Sequence, residues 1–289
     1  MTLEPVRYRS SDEDSGRWAG FPFRDGDLVI STRSKHGTTW MQMVCALLVF
    51  RTPGLPAPLP ELSPWLDWVG ELRDDVVARL EGQDHRRVIK THTPLDGLPL
   101  DPRATYVVVA RHPLDAAISL YHQGDNLDRA RIAELTGEPE RATDRVPLIE
   151  WLDGWIAADP DPRAALDSLP GVLHHLTVAW ARRGDPNVVL VHYDDLVTDL
   201  DGEMARLASD VGLAPPTPEL VAAARFDAMR DRADDLAPDA GGVLKDRHAF
   251  FRQGGSSRTG LPTDLVARYE ARVPALAPPD LLTWLHRPT

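Results

Sequence analysis

The chain has 289 residues, an ordinary globular composition apart from 26 prolines and 8 tryptophans, and a formal net charge of −12. That charge argues against a dedicated DNA- or RNA-binding protein and against a highly anionic acceptor such as an acidic polysaccharide. No apolar run approaches the length of a membrane span, and the single Cys45 allows no disulfide framework within the chain. Residues 1–26 carry Asp12, Glu13 and Asp14, unlike a secretory signal, and read as an approach segment anchored by Trp18, Phe21 and Phe23. Together with the lone thiol this predicts a cytoplasmic protein. An anionic cofactor stays open, because local Lys, Arg and helix N-termini can outweigh the global field.

Leu28-Val29-Ile30 is a short apolar run of the kind that forms a buried strand. A polar loop follows, and then Trp40, Met41, Val44, Leu47 and Leu48 recur at helical spacing, so residues 27–48 read strand, tight loop, helix. Gly37 allows close backbone approach to a ligand, and Thr38 and Thr39 start the helix where N–H groups point outward. With Lys35 just before them, the loop forms an anion cradle suited to a phosphate. Cys45 falls on the helix among apolar residues and reads as core.

Pro53 to Pro64 is a proline-rich surface loop ending in Trp65-Leu66-Asp67-Trp68, whose tryptophans either roof the core or line an acceptor pocket. Arg86–His92 predicts a second strand, and its alternation puts Val88, Lys90 and His92 on one face. Thr105–Ala110 predicts the third strand, and a helix follows over 113–123 with proline in its first turn. Residues 124–146 have no clean period and read as an insertion or cap. Helices are expected over 147–157 and 172–183, a fourth strand over Asn187–Tyr193, and helices over 199–212, 216–229 and 263–273. Residues 230–248 read as a flexible loop or lid, and a short apolar segment near 281–285 closes the chain.

Strands alternating with helices predict a doubly wound parallel α/β sheet flanked by helices, as one domain over 1–289. Ligands of such sheets gather at the C-terminal strand ends, where Lys35, His92, Arg111 and Tyr193 all fall. A guanidinium at Arg111 and a hydroxyl two helical turns later at Ser119 suit a phosphate. His92 beside Lys90 suits general-base chemistry. His174 and His175 would point apart on a helix, and no cluster has metal-ligand spacing.

The order Lys35-His36-Gly37-Thr38-Thr39-Trp40 resembles the 5′-phosphosulfate loop of the cytosolic-type sulfotransferases, with a P-loop-containing fold. Arg111, Asp115 and Ser119 resemble that family's 3′-phosphate motif, and Lys90-Thr91-His92 its Lys-x-His segment. His192-Tyr193-Asp194-Asp195-Leu196 resembles its Tyr-Glu-Asp-Leu segment, and Phe251-Arg252-Gln253-Gly254 its Arg-Lys-Gly turn. The departures are Arg33-Ser34 in place of Tyr-Pro, His36 in place of serine, Gln253 in place of lysine, and a missing tryptophan near Arg258.

The resemblance implies 3′-phosphoadenosine 5′-phosphosulfate (PAPS) as donor, adenosine 3′,5′-bisphosphate (PAP) as product, and no required metal. It implies His92 as general base, Lys90 on the sulfuryl oxygens, and Lys35 with His36, Gly37, Thr38 and Thr39 at the 5′-phosphate. Arg111, Ser119, Arg252, Gln253 and Gly254 would hold the 3′-phosphate, and Trp40, Tyr193 and Phe226 the adenine. The expected partner is a small-molecule hydroxyl, less readily an amine, rather than nucleic acid or a membrane; a homodimer is compatible with the sequence. Its pocket would come from 53–72, 124–146 and 230–250. A magnesium-dependent kinase or NTPase, using Asp194 and Asp195, and a non-catalytic nucleotide-binding protein are the rival readings.

Overall fold

The computed structural model describes residues 4–140, 145–239, 241–252 and 254–287. Four parallel strands, β1 (Leu28–Ser31), β2 (Val88–Thr91), β3 (Thr105–Ala110) and β4 (Val188–His192), form one sheet in the order β2-β1-β3-β4. In register, Leu28 lies beside Val88 on one side and Thr105 on the other, and Val107 beside Val189. These strands are short and β-branched because both faces are buried. Leu28, Ile30, Val88, Val107, Val109, Val189 and Val191 enter one core, while Val29, Ile89, Tyr106, Val108 and Val188 enter the other. The expected parallel α/β sheet is therefore the observed one.

The helices before β3 are α1 (Thr38–Phe50), α2 (Leu59–Leu62) and α3 (Arg73–Glu81). Between β3 and β4 lie α4 (Pro113–Asn126), α5 (Arg129–Thr136), α6 (Leu148–Ala157) and α7 (Leu169–Ala181). After β4 come α8 (Tyr193–Thr198), α9 (Leu200–Asp210), α10 (Pro218–Ala224), α11 (Phe226–Arg230) and α12 (Ala233–Leu236). The chain closes through α13 (Arg247–Phe250), α14 (Thr263–Arg272) and α15 (Pro279–Leu285). Helix α1 packs on the face that also receives α9 and α10, and α4, α6, α7, α14 and α15 cover the other. Chain direction thus splits between β1 and β3, and a ligand crevice opens at such a switch point.

Trp18, Phe21 and Phe23 are buried in the core as the approach segment predicts. Three expectations need correction. The 216–229 helix is broken at Arg225, whose backbone is extended, into α10 and α11. The carbonyl of Ala224 at that break accepts the Trp40 indole N–H at 2.8 Å, a tertiary bond that local sequence does not foretell. Residues 230–248 are no free lid: Ala233, Leu236, Ala237 and Leu244 are core residues. Within 124–146, α5 is helical, with Asp128 capping the Arg131 amide at 2.9 Å. Among the described residues no helix is long and apolar enough to cross a membrane.

Candidate active site

The loop between β1 and α1 turns tightly enough to need two residues with positive φ, Lys35 at 63° and Gly37 at 98°. Glycine at 37 answers two demands. Its φ is left-handed, and a Cβ there would come within 2.8 Å of the Tyr193 ring. The hydroxyls of Thr32 and Thr38 hydrogen-bond across the loop, and the Met41 N–H closes onto the Gly37 carbonyl at 2.9 Å. The N–H groups of Thr38 and Thr39 precede that ladder and form the positive end of the helix.

The cations converge above this cradle. The Lys35 ammonium donates to Gln123 Oε1 at 3.1 Å and stands 3.9 Å from the Phe250 ring centroid. Burial, then the neighbouring Arg111, Arg252 and Lys90 charges, lower it to about 7. Arg111 leaves β3 with its guanidinium 4.3 Å from the Tyr193 ring centroid and donates to the carbonyls of Lys35 (3.1 Å) and Gly255 (2.8 Å). Ser119 on α4 and Arg252 line the same cavity. The Phe226 ring presses on Gly254, where a Cβ would lie 2.5 Å from it. Trp40 and Tyr193 meet edge to face at 5.4 Å between centroids. Gln253 lies outside the described residues.

His36 behaves differently from expectation, and Arg258 is already committed within the fold. The His36 ring is fully buried, hydrogen-bonds the Ser34 carbonyl at 3.0 Å, and forms no part of the cavity wall. Burial lowers it to about 4, so the ring is neutral near pH 7 and adds no charge to the cradle. Arg258, the cation nearest the missing tryptophan, pairs with the fully buried Asp115. Asp115 also accepts from the amides of Ser257 (2.6 Å) and Arg258 (2.8 Å), which pins this turn against α4.

Lys90 and His92 share a wall with Trp65. The Lys90 ammonium is 4.0 Å from the Trp65 centroid, and the His92 ring 4.7 Å from it. Burial lowers Lys90 to about 8, while Glu13 and Asp67 oppose the shift. His92 Nδ1 bonds the Thr32 carbonyl; a carbonyl only accepts, so Nδ1 carries the proton and Nε2 the lone pair. Burial, then Lys90 and Arg33, push the imidazole well below its usual value, so it is neutral near pH 7.

Lys35, Lys90, His92, Arg111 and Tyr193 line one cavity of about 260 Å³. Each of the three expected acceptor segments reaches it: Trp65 and Trp68 from 53–72, Leu127 and Ile132 from 124–146, Val243, Leu244 and Phe250 from 230–250. Trp65 and Trp68 stack at 5.3 Å and 21°, so the tryptophans left open between core and pocket belong to the pocket wall.

Sequence reasoning missed Asp67, Gln123, Phe250 and the part played by Arg33. Arg33 is 1% exposed and binds Glu13 (2.9 Å), Asp167 (2.8 Å) and the His92 carbonyl (2.5 Å). A buried guanidinium needs such partners. A basic residue two positions before Lys35 was the available signal, and its partners lie far away in the chain. Asp195 pairs with Arg287, and among the described residues no His, Cys, Asp or Glu group is arranged to hold a metal.

A family model described as "Sulfotransferase domain" matches residues 25–258. A glycolipid sulfotransferase of Mycobacterium bovis is 42% identical, covering 97% of this chain and 94% of its own. The cytosolic sulfotransferase 1 of Danio rerio is 27% identical over 73% of this chain and 68% of its own. Among solved structures, retinol dehydratase in complex with retinol and PAP superposes with a TM-score of 0.70 at 18% identity, covering 95% of this chain and 86% of that one. Mouse sulfotransferase SULT7A1 complexed with PAP gives 0.62 at 18% identity, over 95% and 89%.

Proposed function

Because the chain belongs to the sulfotransferase family, we propose that it transfers the sulfuryl group of PAPS to a hydroxyl of a glycolipid, with His92 as general base. The observation that carries this reading is that Lys35, Lys90 and His92 face one cavity, between a glycine-containing anion cradle and an apolar wall. PAPS supplies the sulfuryl group and leaves as PAP.

The residues present fit that donor. The cradle of Gly37, Thr38 and Thr39 with Lys35 suits the 5′-phosphate, and a Cβ at Gly37 would collide with Tyr193. Arg111, Ser119 and Arg252, beside Gly254, suit the 3′-phosphate that distinguishes this donor from ordinary adenylates. Trp40, Tyr193 and Phe226 offer aromatic surface for the adenine. Gln253, between Arg252 and Gly254 in sequence, is uncharged.

His92 accepts the acceptor's proton at Nε2. Its Nδ1–H, held on Thr32, fixes the tautomer, and its neutral state at working pH leaves the lone pair free. Lys90, charged at neutral pH and packed on Trp65, stabilises negative charge developing beside His92. Lys35 stabilises charge on the departing phosphate. Lysines thus stand where a kinase uses magnesium.

The shape of the cavity supports an amphiphilic acceptor. The stacked Trp65 and Trp68 next to His92 offer flat faces for a sugar ring, and Leu127, Ile132 and Leu244 an apolar wall for a chain. Incubation with PAPS and a long-chain alkyl glucoside should yield PAP and a sulfated glycoside by mass spectrometry. His92→Ala should bind PAP within about threefold of wild type and lose roughly 100-fold or more of turnover. A His92→Ala protein with near-normal turnover, or preference for magnesium-ATP over PAP, would refute the assignment.

A further inference from the structure

Asp67 is fully buried and stands behind the cavity wall rather than in it. Its carboxylate accepts four hydrogen bonds: from the Trp18 indole (2.5 Å), the Thr91 hydroxyl (2.5 Å), the His92 backbone amide (2.7 Å) and the Trp65 indole (3.3 Å). All four partners are donors, so only a group with acceptors on both oxygens satisfies them. Two of those donors belong to residues that do face the cavity, His92 and Trp65.

The backbone explains how Asp67 arrives there. β2 is the edge strand of the sheet, and residues 64–66 lie along it. The Lys90 amide donates to the Pro64 carbonyl at 3.1 Å and the Leu66 amide to the Lys90 carbonyl at 3.2 Å. The next residue, Asp67, then reaches over the strand end where β2 gives way to His92. On its other side the His92 carbonyl accepts from Arg33 at 2.5 Å, and its ring is tied to Thr32. Amide, carbonyl and imidazole of His92 therefore each have one buried partner.

We propose that Asp67 is a positioning residue of the transfer reaction, which holds the His92 backbone and the Trp65 ring as one rigid unit beside the acceptor hydroxyl. The proposal rests on the reading of His92 as base. A misplacement of a base by even an ångström is expensive in rate, and a four-point anchor on a carboxylate is a means of preventing it. The Asp67 charge has a second consequence. With Glu13 it opposes the loss of charge at Lys90, against burial and Arg33.

The test compares wild type, Asp67→Asn and Trp18→Phe. The carboxamide of Asp67→Asn turns an NH₂ toward donors. It should lower kcat at least tenfold, leave PAP affinity within threefold, and move the alkaline limb of the pH–rate profile to lower pH as Lys90 loses a negative neighbour. Trp18 lies outside the cavity wall, so Trp18→Phe removes one donor to Asp67 without touching either substrate. It should lower kcat threefold or more at unchanged PAP affinity, and it decides the matter if Asp67→Asn does not fold. Backbone hydrogen exchange over residues 88–93 should rise in both variants, a readout independent of turnover. Folded variants with wild-type kcat, unshifted alkaline limb and unchanged exchange at His92 would overturn the proposal. A wild type that binds PAP without transferring sulfuryl groups would instead sink the functional reading, while hydrogen exchange still reports whether Asp67 holds His92.

Discussion

Lys35 sets a measurable coupling between donor binding and pH. In the free protein it is lowered to about 7, first by burial and then by Arg111, Arg252 and Lys90. A phosphate in the cradle brings negative charge to this ammonium and raises its pKa in the complex. The sign follows: Lys35 is charged without cost below pH 7, and above it binding must draw a proton from solution. Affinity for PAP should therefore be highest near pH 7 and decline as pH rises toward the pKa in the complex. A group titrating near 7 is charged in half the molecules at pH 7 and in about one in eleven at pH 8, so the dissociation constant should rise about fivefold from pH 7 to 8 and roughly tenfold, about 1.4 kcal/mol, over the next unit. The PAP phosphates, with second ionisations near ~6, contribute little over this range.

Calorimetric titration with PAP from pH 7 to 9, repeated at pH 8 in buffers of different ionisation enthalpy, measures both quantities. Uptake of close to one proton is expected at pH 8. Lys35→Arg, charged throughout, should flatten the dependence. A dissociation constant that stays level from pH 7 to 9, with no buffer dependence of the heat, would show that Lys35 is already charged in the free protein or never meets the phosphate.

Two further outcomes follow from the cradle. Arg111→Ala removes a charged clamp that also holds the Lys35 and Gly255 carbonyls, and should weaken PAP binding by about 2 kcal/mol, roughly 30-fold; calorimetry showing less than a threefold change would place the 3′-phosphate elsewhere. Gly37→Ala puts a side chain at a φ of 98° against the Tyr193 ring. It should cost about 1–3 kcal/mol of stability and most of the PAP affinity, so an unaltered melting temperature together with unaltered binding would contradict the close packing of loop and ring.

Much of this protein was legible from residue order, because the determining interactions are local. The β-branched runs of Val29–Ile30 and Val107–Val109 specify strands buried on both faces, and helical spacing after Thr39 specifies α1. Once the strands were placed, their C-terminal ends carried Lys35, Lys90, His92, Arg111 and Tyr193 to one cavity, since a parallel sheet aligns those ends. Gly37 and Gly254 showed as glycines, but the rings that require them, Tyr193 and Phe226, are brought in from elsewhere in the chain.

Other features were decided only by tertiary structure. Helix periodicity extends smoothly across Arg225, yet the chain breaks there where the Trp40 indole meets the Ala224 carbonyl. Composition made 230–248 a loop, yet α12 packs against α2, α11 and α13 and buries Ala233 and Leu236. His36 occupies a loop position suited to contact with a ligand, but its ring is turned into the interior, and Arg258 meets Asp115 instead of standing free. Asp67 and Arg33 are the sharpest cases. An aspartate in a proline-rich loop and an arginine in a polar one carry no periodic signal. Their meaning comes from burial, which forces a charged group to find its partners, and those partners, Trp18, Thr91 and His92 for one, Glu13, Asp167 and His92 for the other, meet only in the folded chain.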